Sequence, residues 1–308
     1  MAYKSMVISN KRKPATHSDV LWHFTGGPIW DEVKQRQSSK LKTPETAYRN
    51  LTRILKEKVL RVGKYHELIK VQFDKIKKYD PEIKKTKTQK NIVETVETSP
   101  VCCVADIPLT ELWHHAKRYG KMAIGWRRDS LVKAGFNPVL YTVHGQELIK
   151  NYYYSKNILE SIGHSDITSK ADSIVESIES RMSDLEGELS EHEDVDADIP
   201  DIGMEHGDEI RYEMKSLVED IPQALNRLKN AMAFIKTFNN KEFDSIYAER
   251  EWRSISNFAF KDSDVAVILL PHEIAGSKRD YYNDFIRRDI KYAGLKKDKV
   301  IVWEDVVK

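Results

Sequence analysis

The stretch that decides the fold is residues 101–143, VCCVADIPLTELWHHAKRYGKMAIGWRRDSLVKAGFNPVLYTV. Apolar, β-prone runs at Val101–Asp106, Met122–Trp126 and Pro138–Val143 predict three strands. A helix is predicted over Thr110–Arg118, between the first two strands. Only a short, turn-rich stretch separates the last two strands, so strands and helices do not alternate regularly. The pattern therefore predicts an α+β fold rather than a doubly wound parallel sheet.

The same rules extend the prediction outward from this block. A helix is predicted from Pro44 to Gly63, and residues 64–99, which are Lys-rich with weak periodicity, are predicted as loop, with helix as the alternative. Between 150 and 240 two apolar stripes at helical spacing flank the acidic break Glu191–Asp201 and predict a helical insertion with almost no strand. Further strands are predicted at Val20–Phe24, Glu251–Phe260, Val265–Pro271 and Val300–Trp303.

Composition restricts the class of protein. Hydrophobic residues make up 40% and charged residues 32% of the 308, a balance typical of a soluble chain with a real core. No run reaches the roughly 18 apolar residues of a membrane span, and the N-terminus lacks the apolar core of a secretory signal. The only cysteines, Cys102 and Cys103, are adjacent and suit neither a disulfide nor a metal site. We expect a reduced, cytoplasmic protein that binds no metal.

The net charge of +2 conceals a strong internal asymmetry. Residues 1–100 hold 22 basic against 11 acidic residues, whereas residues 166–220 hold 4 against 19. Basic runs at Lys11–Lys13, Lys75–Lys78 and Lys84–Lys90 suit phosphate neutralisation, and Tyr65, Phe73 and Tyr79 could stack on unpaired bases. The pattern suits nucleic-acid binding by the first hundred residues, with RNA as the expected partner, and equally suits solubilising lysine on a surface loop.

His23 is the first candidate for chemistry. It lies in the apolar run VLWHF and is followed by Thr25-Gly26-Gly27, small residues that let a ligand approach the backbone. An imidazole at a strand end can hydrogen-bond a ligand hydroxyl. The alternative is a core histidine whose hydrogen bonds are satisfied within the fold.

The second candidate is EREWR, residues 249–253. In an extended chain Glu249 and Glu251 point to the same face, with Cα atoms about 6.5–7 Å apart. Two such carboxylates can divide their roles, one stabilising positive charge and the other accepting a proton. The alternative is an edge strand in which Arg250 and Arg253 pair with these carboxylates.

Three segments together resemble a known family. LWHFTGG at 21–27, the block from Cys103 to Val143, and EREWRSI at 249–255 resemble the AbiGi-type abortive phage-resistance family, which is similar to toxin-type ADP-ribosyltransferases. The resemblance implies an ADP-ribosyltransferase-like core of two small packed sheets with flanking helices. It divides the chain into a first part of the core with the basic loop at 1–149, the acidic helical insertion at 150–240, and the remainder of the core at 241–308.

The resemblance also implies a reaction and a set of roles. The chain would be a toxin that transfers ADP-ribose from NAD⁺ to nucleic acid, with mRNA as the expected acceptor, and would have a cognate antitoxin and a chaperone as partners. Glu251 would stabilise the positive charge that develops on the ribose, and Glu249 would orient the acceptor. NAD⁺ would be held by His23 and by the backbone of Phe24 and Thr25. Tyr119 would stack on the nicotinamide ring, with Tyr141 or Trp126 as alternatives. Arg127 or Arg128 would bind the pyrophosphate.

Two other functions remain open at this point. AbiGi-like proteins act as the neutralising member of two-component systems, so the resemblance also admits a non-catalytic antitoxin that binds and silences a toxin. In that case the helical stripes between 150 and 240 would supply the binding surface. The third possibility is a Mg²⁺-dependent nuclease. Its metal-binding carboxylates would have to come from EREWR, the one acidic motif that the sequence offers for this role.

Overall fold

The structure is a computed structural model that describes most of the chain. The described residues are 18–33, 36–63, 66, 68–80, 85–164, 220–238 and 249–306, with isolated residues between 173 and 216, and without the side chains of 36, 78–80 and 161–164. The run Lys11–Lys13, Tyr65, the side chain of Tyr79 and the acidic break at 191–201 lie outside this description. The chain divides into two compact units, one of 1–67, 98–143 and 233–308 and the other of 68–97 and 144–232.

The first unit is built on a seven-stranded sheet. In spatial order its strands are Val300–Val302, Val265–Leu270, Ala123–Arg127, Val20–Phe24, Cys102–Ala105, Glu251–Ser254 and Asn137–Pro138. All neighbours are antiparallel except the first two, which are parallel. The central strands are apolar and buried on both faces, so they read as continuous hydrophobic runs rather than alternating ones.

Four two-stranded sheets complete the β-structure of the described residues. They pair Pro28–Asp31 with Arg36–Leu41, Val59–Leu60 with Phe258–Ala259, Leu140–Val143 with Ile235–Phe238, and Leu68–Asp80 with Lys85–Glu97. The α-helices are Pro44–Glu57, Leu112–Tyr119, Arg128–Lys133, Glu147–His164, 220–232, Tyr281–Asp284 and Trp303–Val306. Residues Phe285–Asp289 form a π-helical turn, and Leu109–Glu111 and Lys297–Lys299 form 3₁₀ turns.

The helix Pro44–Glu57 shows how local sequence sets these bounds. Thr43 caps it by accepting a hydrogen bond from the backbone N–H of Thr46, and proline occupies the first turn. Its buried residues recur at helical spacing and face the main core, and it ends at Lys58, which adopts a left-handed conformation with φ 54°. The helix predicted to end at Gly63 therefore stops earlier.

The α+β class is confirmed, but several finer predictions are wrong. Residues 68–80 and 85–97, expected as loop or helix, form the two strands of a β-ribbon in which Val, Ile and Thr occupy strand positions. Ile235–Phe238, placed in a helical stripe, forms a strand because it pairs with Leu140–Val143. The strand expected over 251–260 breaks after Ser254. An ADP-ribosyltransferase-like core of two small packed sheets is not confirmed, since the largest sheet has seven strands.

Candidate functional site

A small cavity of about 110 Å³ opens in the first unit beside the middle of the large sheet. Its lining comes from three adjacent strands, from the helix Leu112–Tyr119 and from Glu249, which lies two residues before the third of these strands. The lining residues are Trp22, His23, Phe24, Cys103, Val104, Ala105, His115, Tyr119, Glu249 and Glu251. His23 and Glu251, which lie far apart in sequence, therefore reach the same cavity. Pockets for drug-sized ligands enclose roughly 300–1,000 Å³, so this one is much smaller.

Glu251 is held between two cations. Its oxygens accept hydrogen bonds from Arg253 Nε at 3.0 Å and from an Arg253 terminal nitrogen at 3.2 Å, and Lys236 Nζ lies 2.9 Å away. Burial alone would raise the pKa of Glu251, but the charges of Arg253 and Lys236 hold this pKa well below its usual range. The backbone N–H of Glu251 donates to Tyr141 Oη at 2.8 Å. Glu251 is therefore a fixed, ionised carboxylate.

The side-chain carboxylate of Glu249 is bound by three donor groups of other residues. One oxygen accepts a hydrogen bond from Tyr119 Oη at 3.0 Å and forms an ion pair with Arg118 at 2.5 Å. The other oxygen lies 2.5 Å from Lys236 Nζ. Glu249 precedes the strand rather than lying within it, because Arg250 adopts φ 43°. Lys236 thus bridges both carboxylates of the E-x-E motif, although the extended geometry expected over these three residues is wrong.

Arg253 is the most buried member of this group, with 0% of its surface exposed. Besides binding Glu251, it donates to the backbone carbonyl of Ala233 at 2.7 Å. Its strand lies between Cys102–Ala105 and Asn137–Pro138, so it is an interior strand and not the edge strand considered as an alternative. The ion pairing expected in that alternative is present for Arg253. Arg250 instead pairs with Asp106 at 3.5 Å.

Two histidines form the other side of the cavity. His23 Nδ1 bonds the carbonyl of Cys103 at 2.9 Å, and burial lowers the pKa of His23. His115 stacks on Tyr119 with ring centroids 4.3 Å apart, and burial followed by the charge of Arg118 lowers the pKa of His115 to about 3. Both imidazoles are therefore neutral at pH 7.

Taken together, two carboxylates meet three cations: Arg118, Lys236 and Arg253. The hydrogen-bonding capacity of both carboxylates is largely used within the protein, so this cluster joins the helix Leu112–Tyr119 to two separate segments of strand. A network of internal ion pairs and hydrogen bonds of this kind fixes one arrangement of the surrounding backbone.

Comparison with known protein families assigns the chain to one of them. A family model matches residues 73–303, well over half of the chain, and is described as "Putative abortive phage resistance protein AbiGi, antitoxin". The chain belongs to the AbiGi family. The resemblance to that family is confirmed, and the abortive-infection and toxin–antitoxin context with it. No curated protein and no solved structure matches the chain.

Membership of AbiGi corrects the main functional prediction. The family description names an antitoxin, so the assignment of this chain as a toxin that transfers ADP-ribose to nucleic acid is wrong. The finding supports the alternative, a non-catalytic antitoxin. The toxin assignment came from the similarity of this family to ADP-ribosyltransferases, and the family match gives that similarity no support.

The AbiGi structure brings only some of the predicted NAD⁺-binding residues together. His23, Phe24 and Tyr119 line the cavity with both glutamates. Thr25 does not, because its backbone N–H bonds the carbonyl of Met122 within the sheet. Arg127 and Arg128 also lie elsewhere: Arg127 bonds the carbonyl of Ser263, and Arg128 bonds Asp106 at 2.9 Å.

Three residues of this AbiGi site were missed from the sequence: Arg118, His115 and Lys236. His114-His115 gives no motif, and Lys236 lay in a segment assigned to a helix. Only the β-branched pattern of Ile235–Phe238 could have signalled that Lys236 belongs to a strand beside the site. In the residues that the structure describes, no group of three His, Cys, Asp or Glu side chains is suited to a metal ion, and no helix is long and apolar enough to cross a membrane.

Proposed function

We propose that this AbiGi protein is a non-catalytic antitoxin, which neutralises the toxin of its abortive-infection system by binding to it. The observation that supports this proposal is the family match over residues 73–303, whose description names an antitoxin. The partner is accordingly the cognate toxin.

The geometry of the charged cluster supports a structural role for the E-x-E motif. Glu251 is ionised and bonded to Arg253 and Lys236, and Glu249 is bonded to Tyr119, Arg118 and Lys236. A carboxylate committed to internal cations interacts less strongly with charge that develops on a substrate. The motif then stabilises the interior of the large sheet.

The molar ratio of antitoxin to toxin that is needed for neutralisation distinguishes a binding antitoxin from a catalytic one. Purified cognate toxin is titrated with this protein in buffer free of NAD⁺, and the residual activity of the toxin is measured together with complex formation by size-exclusion chromatography. A binding antitoxin abolishes activity only when it reaches roughly equal molar amounts, and the two chains co-elute. Complete neutralisation by a small fraction of an equivalent, without a stable complex, would contradict the proposal.

The more specific predictions of the resemblance stand apart from this proposal. Use of NAD⁺, a transferase-like core, an RNA partner, a chaperone and a cytoplasmic location stay predictions. NAD⁺ binding has its own test: ligand at 100 times its dissociation constant stabilises a protein by about 2.7 kcal/mol, which a thermal-shift titration detects.

A further inference from the structure

A groove of about 660 Å³ lies on the first unit, where the helix Pro44–Glu57 meets the segment 285–293. Its charged residues and its tyrosine are Arg49, Arg53, Lys56, Glu57, Asp289 and Tyr292. The second segment begins with the π-helical turn Phe285–Asp289, and such turns are frequent at functional sites. The groove is therefore a candidate binding surface, separate from the cavity beside Glu251.

Three cations of the helix line this groove. Arg49, Arg53 and Lys56 are exposed, and their spacings of four and three residues place them on one face of the helix. In the part of the chain that the structure describes, none of these three side chains takes part in an ion pair or a hydrogen bond. Like charges four residues apart destabilise a helix, so an anionic partner that binds this row relieves a repulsion within it.

The two acidic residues of the lining are bonded elsewhere. Glu57 pairs with Arg61 at 3.4 Å. One oxygen of Asp289 accepts a hydrogen bond from Tyr48 Oη at 2.5 Å, and its other oxygen accepts none from a described residue. The groove therefore offers a row of three cations from the helix and one hydrogen-bond acceptor from the segment 285–293.

We propose that this groove binds an acidic segment of the cognate toxin, an inference that rests on the antitoxin function proposed above. Carboxylates of the toxin pair with Arg49, Arg53 and Lys56, since a guanidinium group binds a carboxylate through two parallel hydrogen bonds. From Arg49 to Lys56 the helix rises about 10.5 Å, a length that about four residues of an extended peptide cover. Tyr292 is 62% exposed, and arginine and tyrosine are among the residue types that dominate binding energy at interfaces.

The free acceptor on Asp289 favours a peptide over a nucleic acid. A peptide backbone carries N–H groups that donate to this carboxylate, whereas phosphate groups carry only acceptors and a negative charge that the carboxylate repels. Binding of single-stranded nucleic acid depends on exposed aromatic rings, but Phe73, one of the residues predicted to stack on bases, is 1% exposed. That stacking prediction is therefore wrong for Phe73.

The test measures the dissociation constant of the complex between the full-length protein and its purified cognate toxin by isothermal titration calorimetry. Arg49→Glu/Arg53→Glu places like charges against the acidic segment and should weaken binding by about 100-fold. Arg49→Lys/Arg53→Lys keeps both charges and should weaken binding by less than about tenfold. The control, Lys40→Glu/Lys133→Glu, reverses two exposed cations of the same unit outside the groove and leaves the affinity unchanged.

The salt dependence of the wild type is a second measurement, which does not depend on the folding of a variant. Exposed charge pairs are screened by salt, so the affinity for the toxin should fall as sodium chloride rises from about 50 to about 300 mM. An affinity that does not change with salt would overturn the inference. Urea unfolding of each variant is measured in parallel, and unchanged midpoints are expected because the substituted side chains are exposed.

Three further outcomes would overturn this inference and leave the antitoxin function standing. The first is toxin binding and neutralisation by Arg49→Glu/Arg53→Glu with the affinity of the wild type. The second is tighter binding of the wild type to a DNA duplex or to single-stranded RNA than to the toxin, lost in the same variant, which would make the groove a nucleic-acid site. The third is self-association of the protein alone that this variant abolishes, which would place a second copy in the groove. A wild type that forms no complex with the toxin would instead overturn both proposals.

Discussion

Replacing Arg253 with methionine tests whether the charged cluster holds the large sheet together. The change removes two hydrogen bonds to Glu251 and the bonds to the carbonyls of Ala233 and Ile235, while the methionine keeps most of the buried volume. Breaking a buried ion pair by removing one partner costs about 3–5 kcal/mol, since the remaining charge is buried without full compensation. We expect a loss of this size in the free energy of unfolding.

The measurement is urea unfolding at pH 7 followed by circular dichroism, with the m-value checked for constancy. Arg61→Met is the matched control: Arg61 makes an i,i+4 pair with Glu57 at 3.4 Å on the surface, and such pairs contribute about 0.3–0.5 kcal/mol. A loss for Arg253→Met below about 1 kcal/mol, close to that of the control, would refute the argument.

The pH dependence of the same two proteins gives an independent check. The pKa of Glu251 is lowered in the folded state, so its contribution is complete above the unfolded value of about 4.3 and is lost as pH falls through the folded value. The wild type should therefore lose stability between about pH 5 and pH 2. Arg253→Met should lose less over that range, because the pKa of Glu251 is no longer lowered to the same extent.

Three further changes test other parts of the structure. In Gly125→Ala the new Cβ would lie 2.5 Å from a methyl carbon of Val20, so we expect about 1–3 kcal/mol of destabilisation by urea unfolding; an unchanged midpoint would contradict the packing described. Tyr119→Phe removes the hydrogen bond to Glu249 and should cost about 1.5–3 kcal/mol, measured in the same way, whereas no loss would mean that Arg118 and Lys236 suffice. The low pKa of His115 makes the folded state less stable as pH falls from about 6.5 towards 3, so His115→Gln should show a smaller drop in urea midpoint between pH 7.5 and 5 than the wild type; an equal drop would refute this role.

The sequence predicted the buried strands well because their signal is local. Val20–Phe24, Met122–Trp126 and Val265–Pro271 are short apolar runs between turn residues, and each corresponds to a strand of the large sheet within one or two residues. The ribbon of strands Leu68–Asp80 and Lys85–Glu97 was missed because its lysines mask the Val, Ile and Thr pattern. Its strands are defined by pairing with each other, which a single sequence does not display.

The candidate site was predicted only in part, for the same reason. His23 and Glu251 were singled out by their local context, and they do line one cavity. Arg253, two residues away in the same strand, was named from the sequence as a possible partner of Glu251. Lys236, the other cation on Glu251, comes from a separate strand whose distance from Glu251 depends on the tertiary structure. The function was harder to predict than the site. A glutamate that acts in catalysis and a glutamate paired with internal cations are the same residue in the sequence, and only the structure distinguishes them.

The parallel pairing of Leu140–Val143 with Ile235–Phe238 has a consequence for how this protein can be rebuilt. The two strands are neighbours in register, Leu140 beside Ile235 and Val143 beside Phe238, although 91 residues lie between Val143 and Ile235 in the sequence. A graft that reconnects them spans only about 11 Å in a straight line, but parallel neighbours are joined by a crossover, so the linker needs about a dozen residues. The junction is therefore a natural place for exchanging segments between members of the family, with the seven-stranded scaffold left in place to receive them.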